Sequence, residues 1–128
     1  MKKKITSTSA PAAIGPYSQA LDLGNMLVIS GQLPIDQASG LVPESAGEQT
    51  RRCMQNIQYI LEEAGLGCEH VVRCGIFLKN MDDFSAVNEV YGSYFTEPYP
   101  ARATVEVARL PKDVLVEIEA LAVRELTR

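Results

Sequence analysis

Strict alternation of apolar and polar residues marks the end of this chain, and helical spacing marks its middle. From Arg102 to Ala108, Arg102, Thr104, Glu106 and Ala108 share one face of an extended segment while Ala103, Val105 and Val107 take the other. Leu110-Pro111-Lys112-Asp113 suits a tight turn, because proline presets φ at its second position. A second strand from Val114 to Val123 follows, and the two read as a hairpin. Its Leu115, Glu117, Glu119, Leu121 and Val123 lie on one side, and Val116, Ile118, Ala120 and Ala122 on the other. Both sides are largely apolar, yet one carries two acids. A carboxylate there is costly unless a cation, water or substrate compensates it. Two readings stand: ordinary ion pairs with Arg102, Arg109 or Arg124, or a working site, since either arrangement perturbs carboxylates.

Upstream, Tyr17 to Leu23 alternates and Met26 to Ser30 reads as a more buried strand, with Gly24-Asn25 as a hairpin turn between them. Gly31 to Pro43 is a loop. Ser45 with Glu48 three residues on is a capping-box signature, and Ala46, Thr50, Cys53, Ile57, Ile60 and Ala64 form a helical stripe widened by Met54 and Leu61. Gly65 and Gly67 stop that helix. Val71 to Lys79 is a strand with Val72, Cys74, Ile76 and Leu78 facing one way. Asp82 or Asp83 caps a second helix, on which Phe84, Asn88, Tyr91 and Phe95 share a face. Asn88 is the polar exception there, either satisfying backbone groups or offering donor and acceptor at a pocket wall. The order β-β-α-β-α-β-β predicts an α+β domain, a mixed sheet with two helices on one face. The other face then needs a cover, and another copy of the chain is the natural one.

The chain has 128 residues, enough for one domain over residues 1–128. Its net charge of −4 and pI near 5.0 argue against a phosphate backbone as main partner. Met1-Lys2-Lys3-Lys4 reads as a solvated end. No apolar h-region follows it and no run approaches the roughly 20 residues of a membrane span, so cytoplasmic localisation without a membrane partner is expected. Cys53, Cys68 and Cys74 lack zinc-knuckle spacing, so no metal is expected. His70, the only histidine, has no nucleophile motif nearby. Neither a glycine-rich phosphate loop nor a dinucleotide fingerprint is present, so no cofactor is expected.

Several blocks occur in an order that resembles the reactive intermediate deaminase family, of RidA/YjgF type. They are Ala10-Pro11, Gly15-Pro16-Tyr17-Ser18-Gln19-Ala20, Ser30-Gly31-Gln32-Leu33-Pro34, Pro100-Ala101-Arg102, Val105 to Asp113, and Val116-Glu117-Ile118-Glu119-Ala120. The resemblance spans essentially the whole chain. It implies a chorismate-mutase-like homotrimer in which three sheets close into a central barrel with sites between subunits. It also implies hydrolysis of 2-imino acids, 2-iminobutanoate and 2-iminopropanoate, to 2-oxo acids and ammonia, without metal or organic cofactor. By the same resemblance Arg102 holds the substrate carboxylate, Glu117 acts on the attacking water and Tyr17 closes the cleft. Asn88 is a polar wall residue, and Gly31 and Thr104 offer backbone groups. The sequence departs from the pattern in a short lip, Thr96 to Pro100 with Tyr99 in place of phenylalanine, and in Thr104 where cysteine is frequent. The competing readings are an endoribonuclease or translation inhibitor, and a non-enzymatic small-carboxylate sensor or holdase. Arg102 and Glu117 together favour catalysis over a sensor, which needs only the arginine.

Overall fold

The computed structural model describes residues 1–125, so positions 126–128 of the expected domain lie outside the described residues. Among those described, six strands form one mixed sheet: β1 (Lys3–Ile5), β2 (Ala20–Asp22), β3 (Met26–Gln32), β4 (Val71–Leu78), β5 (Ala101–Glu106) and β6 (Val116–Val123), in spatial order β1-β2-β3-β6-β4-β5. Helices α1 (Ala46–Glu63) and α2 (Phe84–Gly92) complete an α+β fold. None of the described helices is long and apolar enough to cross a membrane.

The period of two in β6 is realised residue by residue. Val116, Ile118, Ala120 and Ala122 are buried, while Glu117, Glu119, Leu121 and Val123 remain half-exposed on the opposite face. Paired positions on neighbouring strands share a face, so Leu27 and Ile29 of β3 and Cys74 and Ile76 of β4 join the buried side. Against it α1 lays Cys53, Met54, Ile57, Ile60 and Leu61, all fully buried. Helix α2 adds Val87 and Tyr91. The open face keeps Met26, Val28 and Val105 exposed.

Three expectations are corrected. Residues 101–106 and 116–123 do not form a hairpin, because β4 lies between them, parallel to β5 and antiparallel to β6. The β4-α2-β5 crossover carries β5 to the outer edge of the sheet, and the loop after it returns past β4 through a 3₁₀ turn at Pro111–Asp113. Its Lys112 and Asp113 take positive φ, and the Arg109 guanidinium grips Asp113 at 2.7 and 3.1 Å. The basic N-terminus is exposed, as read, but Lys3–Ile5 also pairs with β2 as an additional edge strand. The second helix is preceded by a 3₁₀ turn capped by Asn80, whose Oδ1 accepts from Asp82 N, and it ends at Gly92, short of Phe95.

Two buried amides hold the long loop that the helical stripe did not reveal. Asn56 Nδ2 donates to both Leu33 O and Ile35 O at 3.0 Å, and Gln49 bridges Pro43 O and Leu115 N. Ser45 Oγ caps α1 by accepting from Glu48 N. Asn56→Leu strands two loop carbonyls beneath α1. We expect it to lower unfolding stability by about 1–3 kcal/mol in urea melts, the cost of unsatisfied buried polar groups, whereas Glu63→Ala at the exposed helix end leaves stability nearly unchanged.

Candidate functional site

The chemistry-bearing residues fall into two groups on opposite faces of one sheet. The first gathers around a cleft of about 900 Å³ that includes Tyr17, Gly31, Lys112 and Glu117 among its walls. Tyr17 was expected in a strand, but β2 begins only at Ala20. Gly15, at φ +118°, and Pro16 bend the chain, leaving Tyr17 just after the bend and about half exposed. That bend is fixed from behind. Buried Gln19 accepts from Ser7 N and donates to Ser7 O and Pro11 O, and Ser30 Oγ donates to Ser18 O at 2.6 Å.

Gly31 sits where the β3–β6 register shifts, directly against Glu117. A Cβ at position 31 would collide with the Glu117 carboxylate, so the glycine makes room for the acid. Glu119 lies likewise over Gly75, where a Cβ would approach its Oε2 to 2.8 Å. Burial pushes the Glu117 carboxyl above the ordinary carboxylate range, and the neighbouring Glu119 charge pushes it further the same way.

Neither acid pairs with the three arginines considered from the sequence. Glu119 lies 3.8 Å from Arg73, Arg109 holds Asp113, and Arg124 holds Asp22 at 2.7 Å. Arg102 meets no carboxylate among the described residues and belongs to the second group, at the β5 edge. It pairs in register with Cys74, on the helix-covered face, whereas Glu117 pairs with Phe77 on the open one. Its Nη1 donates to Asn88 Oδ1 at 2.6 Å. Thr104 shares that face, with its Oγ1 buried and, among the described residues, without a hydrogen-bond partner.

The two groups therefore hold complementary chemistry: an exposed, unneutralised guanidinium on one, and a carboxyl whose pKa burial raises on the other. A single chain does not bring them together. Sequence reasoning overlooked Lys112, whose place in the first cleft depends on the left-handed turn that no periodicity announces. It also left the contact between Phe84, Tyr91 and Arg102 unread. His70 has a structural task, its Nδ1 accepting from Gly67 N. Among the described residues no cluster of histidine, cysteine or acidic side chains is arranged to hold a metal. The lip Thr96 to Pro100 borders a separate cleft of about 580 Å³ with Cys68 and Val72.

Comparison with known proteins gives consistent likenesses. The family model described as Endoribonuclease L-PSP matches residues 7–124. A Salmonella typhimurium protein named 2-iminobutanoate/2-iminopropanoate deaminase is 50% identical over 127 residues, covering 97% of this chain and 99% of that protein. The crystal structure of the Escherichia coli YjgF gene product superposes with a TM-score of 0.92 at 49% identity, covering 96% and 99% of the two chains. Escherichia coli TdcF with bound serine gives a TM-score of 0.92 at 44% identity, again covering 96% and 99%. The match of whole sequence and whole fold places this chain in the Endoribonuclease L-PSP family, the RidA/YjgF group.

Proposed function

We propose that this protein is a hydrolytic deaminase that converts 2-imino acids, such as 2-iminobutanoate and 2-iminopropanoate, to 2-oxo acids and ammonia. The observation that carries the reading is the division of Arg102 and Glu117 between opposite faces of the sheet. Each half lacks what the other supplies. In a homotrimer closed through the apolar open faces around a central barrel, the Arg102 edge of one subunit meets the Glu117 cleft of the next. The name of the Salmonella relative and the amino acid bound to TdcF support a small carboxylate as ligand. The endoribonuclease reading has less behind it, since the chain is acidic and its one histidine is engaged structurally.

In this mechanism the Arg102 guanidinium takes the substrate carboxylate through two parallel hydrogen bonds, fixing orientation as well as affinity. Glu117 accepts a proton from water as its oxygen bonds to the imine carbon and the C=N π electrons move to nitrogen. The same carboxyl returns the proton to nitrogen. The carbinolamine then collapses: Glu117 takes its hydroxyl proton and passes it to the amine, the C–N bond breaks, C=O forms and ammonia leaves. The sequence is redox-neutral and consumes one water. Tyr17 closes the cleft over the substrate, and the Gly31 and Thr104 backbones supply further contacts. Imines hydrolyse unaided, so positioning and a tuned acid–base group suffice.

Subunit complementation tests the division directly. Arg102→Ala and Glu117→Gln are each expected to form stable trimers, the latter losing roughly 10²–10⁴-fold in turnover of imino acids generated by an amino-acid oxidase. Co-expressed and randomly assembled, the two inactive variants should regain roughly a quarter of wild-type activity, because one site in four then joins native Arg102 to native Glu117. Absence of recovery in verified mixed trimers would count against a shared site.

The pH profile gives a second check. Glu117 must be ionised to accept the proton, so activity should fall as pH drops through its raised pKa, above the ordinary carboxylate range. Glu119→Gln removes a charge that raises that pKa and should move the acid limb to lower pH. An unmoved limb would dissociate Glu117 from it.

Gly31→Ala is the third. The added methyl displaces the carboxylate end of a flexible side chain, so turnover should fall at least tenfold while the melting temperature changes little. Full activity would show that Glu117 needs no such room.

A further inference from the structure

We propose that Phe84, Asn88 and Tyr91 are positioning residues that set the pose of the Arg102 guanidinium, leaving its Nε–Nη2 edge as the carboxylate-binding edge. This inference rests on the deaminase reading for its substrate, but its geometry stands apart. Phe84, Asn88 and Tyr91 occupy i, i+4 and i+7 of α2 and so form one stripe along the helix. The guanidinium carbon lies 5.1 Å from the Tyr91 ring centroid and 5.5 Å from that of Phe84, within the roughly 6 Å reach of a cation–π contact. Asn88 takes Nη1 at 2.6 Å. Among the described residues, Nε and Nη2 have no hydrogen-bond partner.

Three contacts on one side of a rigid planar group determine where its other side points. Nε–H and Nη2–H are parallel donors matched to the two oxygens of a carboxylate. The anchoring is firm because Tyr91 is itself only 4% exposed and packs against Phe95, ring centroids 5.0 Å apart and planes tilted by 50°. Burial raises the Cys74 thiol to about 11 and the Tyr91 phenol higher still, so neither supplies an anion that would neutralise Arg102 near neutral pH. Two aromatic rings and one amide, all neutral, hold the guanidinium, and the charge is left for the ligand. Asn88 thus works through Arg102 rather than as an independent wall of the pocket.

Phe84 is only partly buried, which makes it the position to change without opening the core. Phe84→Leu should raise KM for the imino acid and weaken 2-oxobutanoate binding by calorimetry roughly three- to thirtyfold, the span of a cation–π contact, with kcat little changed. Phe84→Tyr should restore both, because it keeps the ring. Asn88→Ala should act in the same direction. In parallel, the Arg102 δ-proton resonances should lie upfield in the wild type and move toward random-coil values in Phe84→Leu. Wild-type affinity in Phe84→Leu, failure of Phe84→Tyr to rescue, or unshifted wild-type resonances would overturn the proposal. A wild type that neither hydrolyses imino acids nor binds 2-oxobutanoate would defeat the deaminase reading instead, and the ring-current shifts would still decide whether the cradle exists.

Discussion

Burial of one face of β6 beneath α1 governs the rest of this molecule. Val116, Ile118, Ala120 and Ala122 are in the core, so the residues between them have no choice of side. Glu117 and Glu119 are held on the open face by the same apolar contacts that hold the sheet together. The pairing continues through β4 into β5, and it commits Arg102 to the opposite, helical face. A one-residue slip of β6 would bury both acids and expose the core, which is why its register is secure.

The separation of acid and guanidinium follows from that constraint, and so does the state of each. Glu117 forms no ion pair among the described residues, and burial with the Glu119 charge raises its pKa. Arg102 lies at a sheet edge where aromatic rings and an amide hold it without neutralising it. Had the two met within one chain, they would have formed an ion pair that silenced both. Their separation keeps each free of the other within one chain.

The irregular segments owe their positions to polar groups within the core. Gln19 binds the N-terminal segment, Asn56 binds the loop at Leu33 and Ile35, and Gln49 binds Pro43 and Leu115. Each is nearly fully buried and would be costly there without these partners. Together they fix the walls of the cleft around Glu117, while Gly31 leaves the space the acid occupies.

Local periodicity was legible in the chain. The alternation of residues 116–123 named both faces of β6 correctly, the stripe from Ala46 to Ile60 named the buried side of α1, and Ser45 announced its cap. Phe84, Asn88 and Tyr91 could be placed on one helical face from spacing alone. The ordered blocks around Tyr17, Gly31, Arg102 and Glu117 pointed to the family that the comparisons support. What no local pattern disclosed was the partner of each strand. Residues 101–106 and 116–123 are close in sequence and look like a hairpin, yet a strand from thirty residues earlier separates them. Periodicity records which side of a strand is apolar, because burial acts on each residue separately. Strand order, the division of Arg102 from Glu117 and the aromatic contacts on Arg102 depend on groups distant in sequence. Only the packed structure decides those.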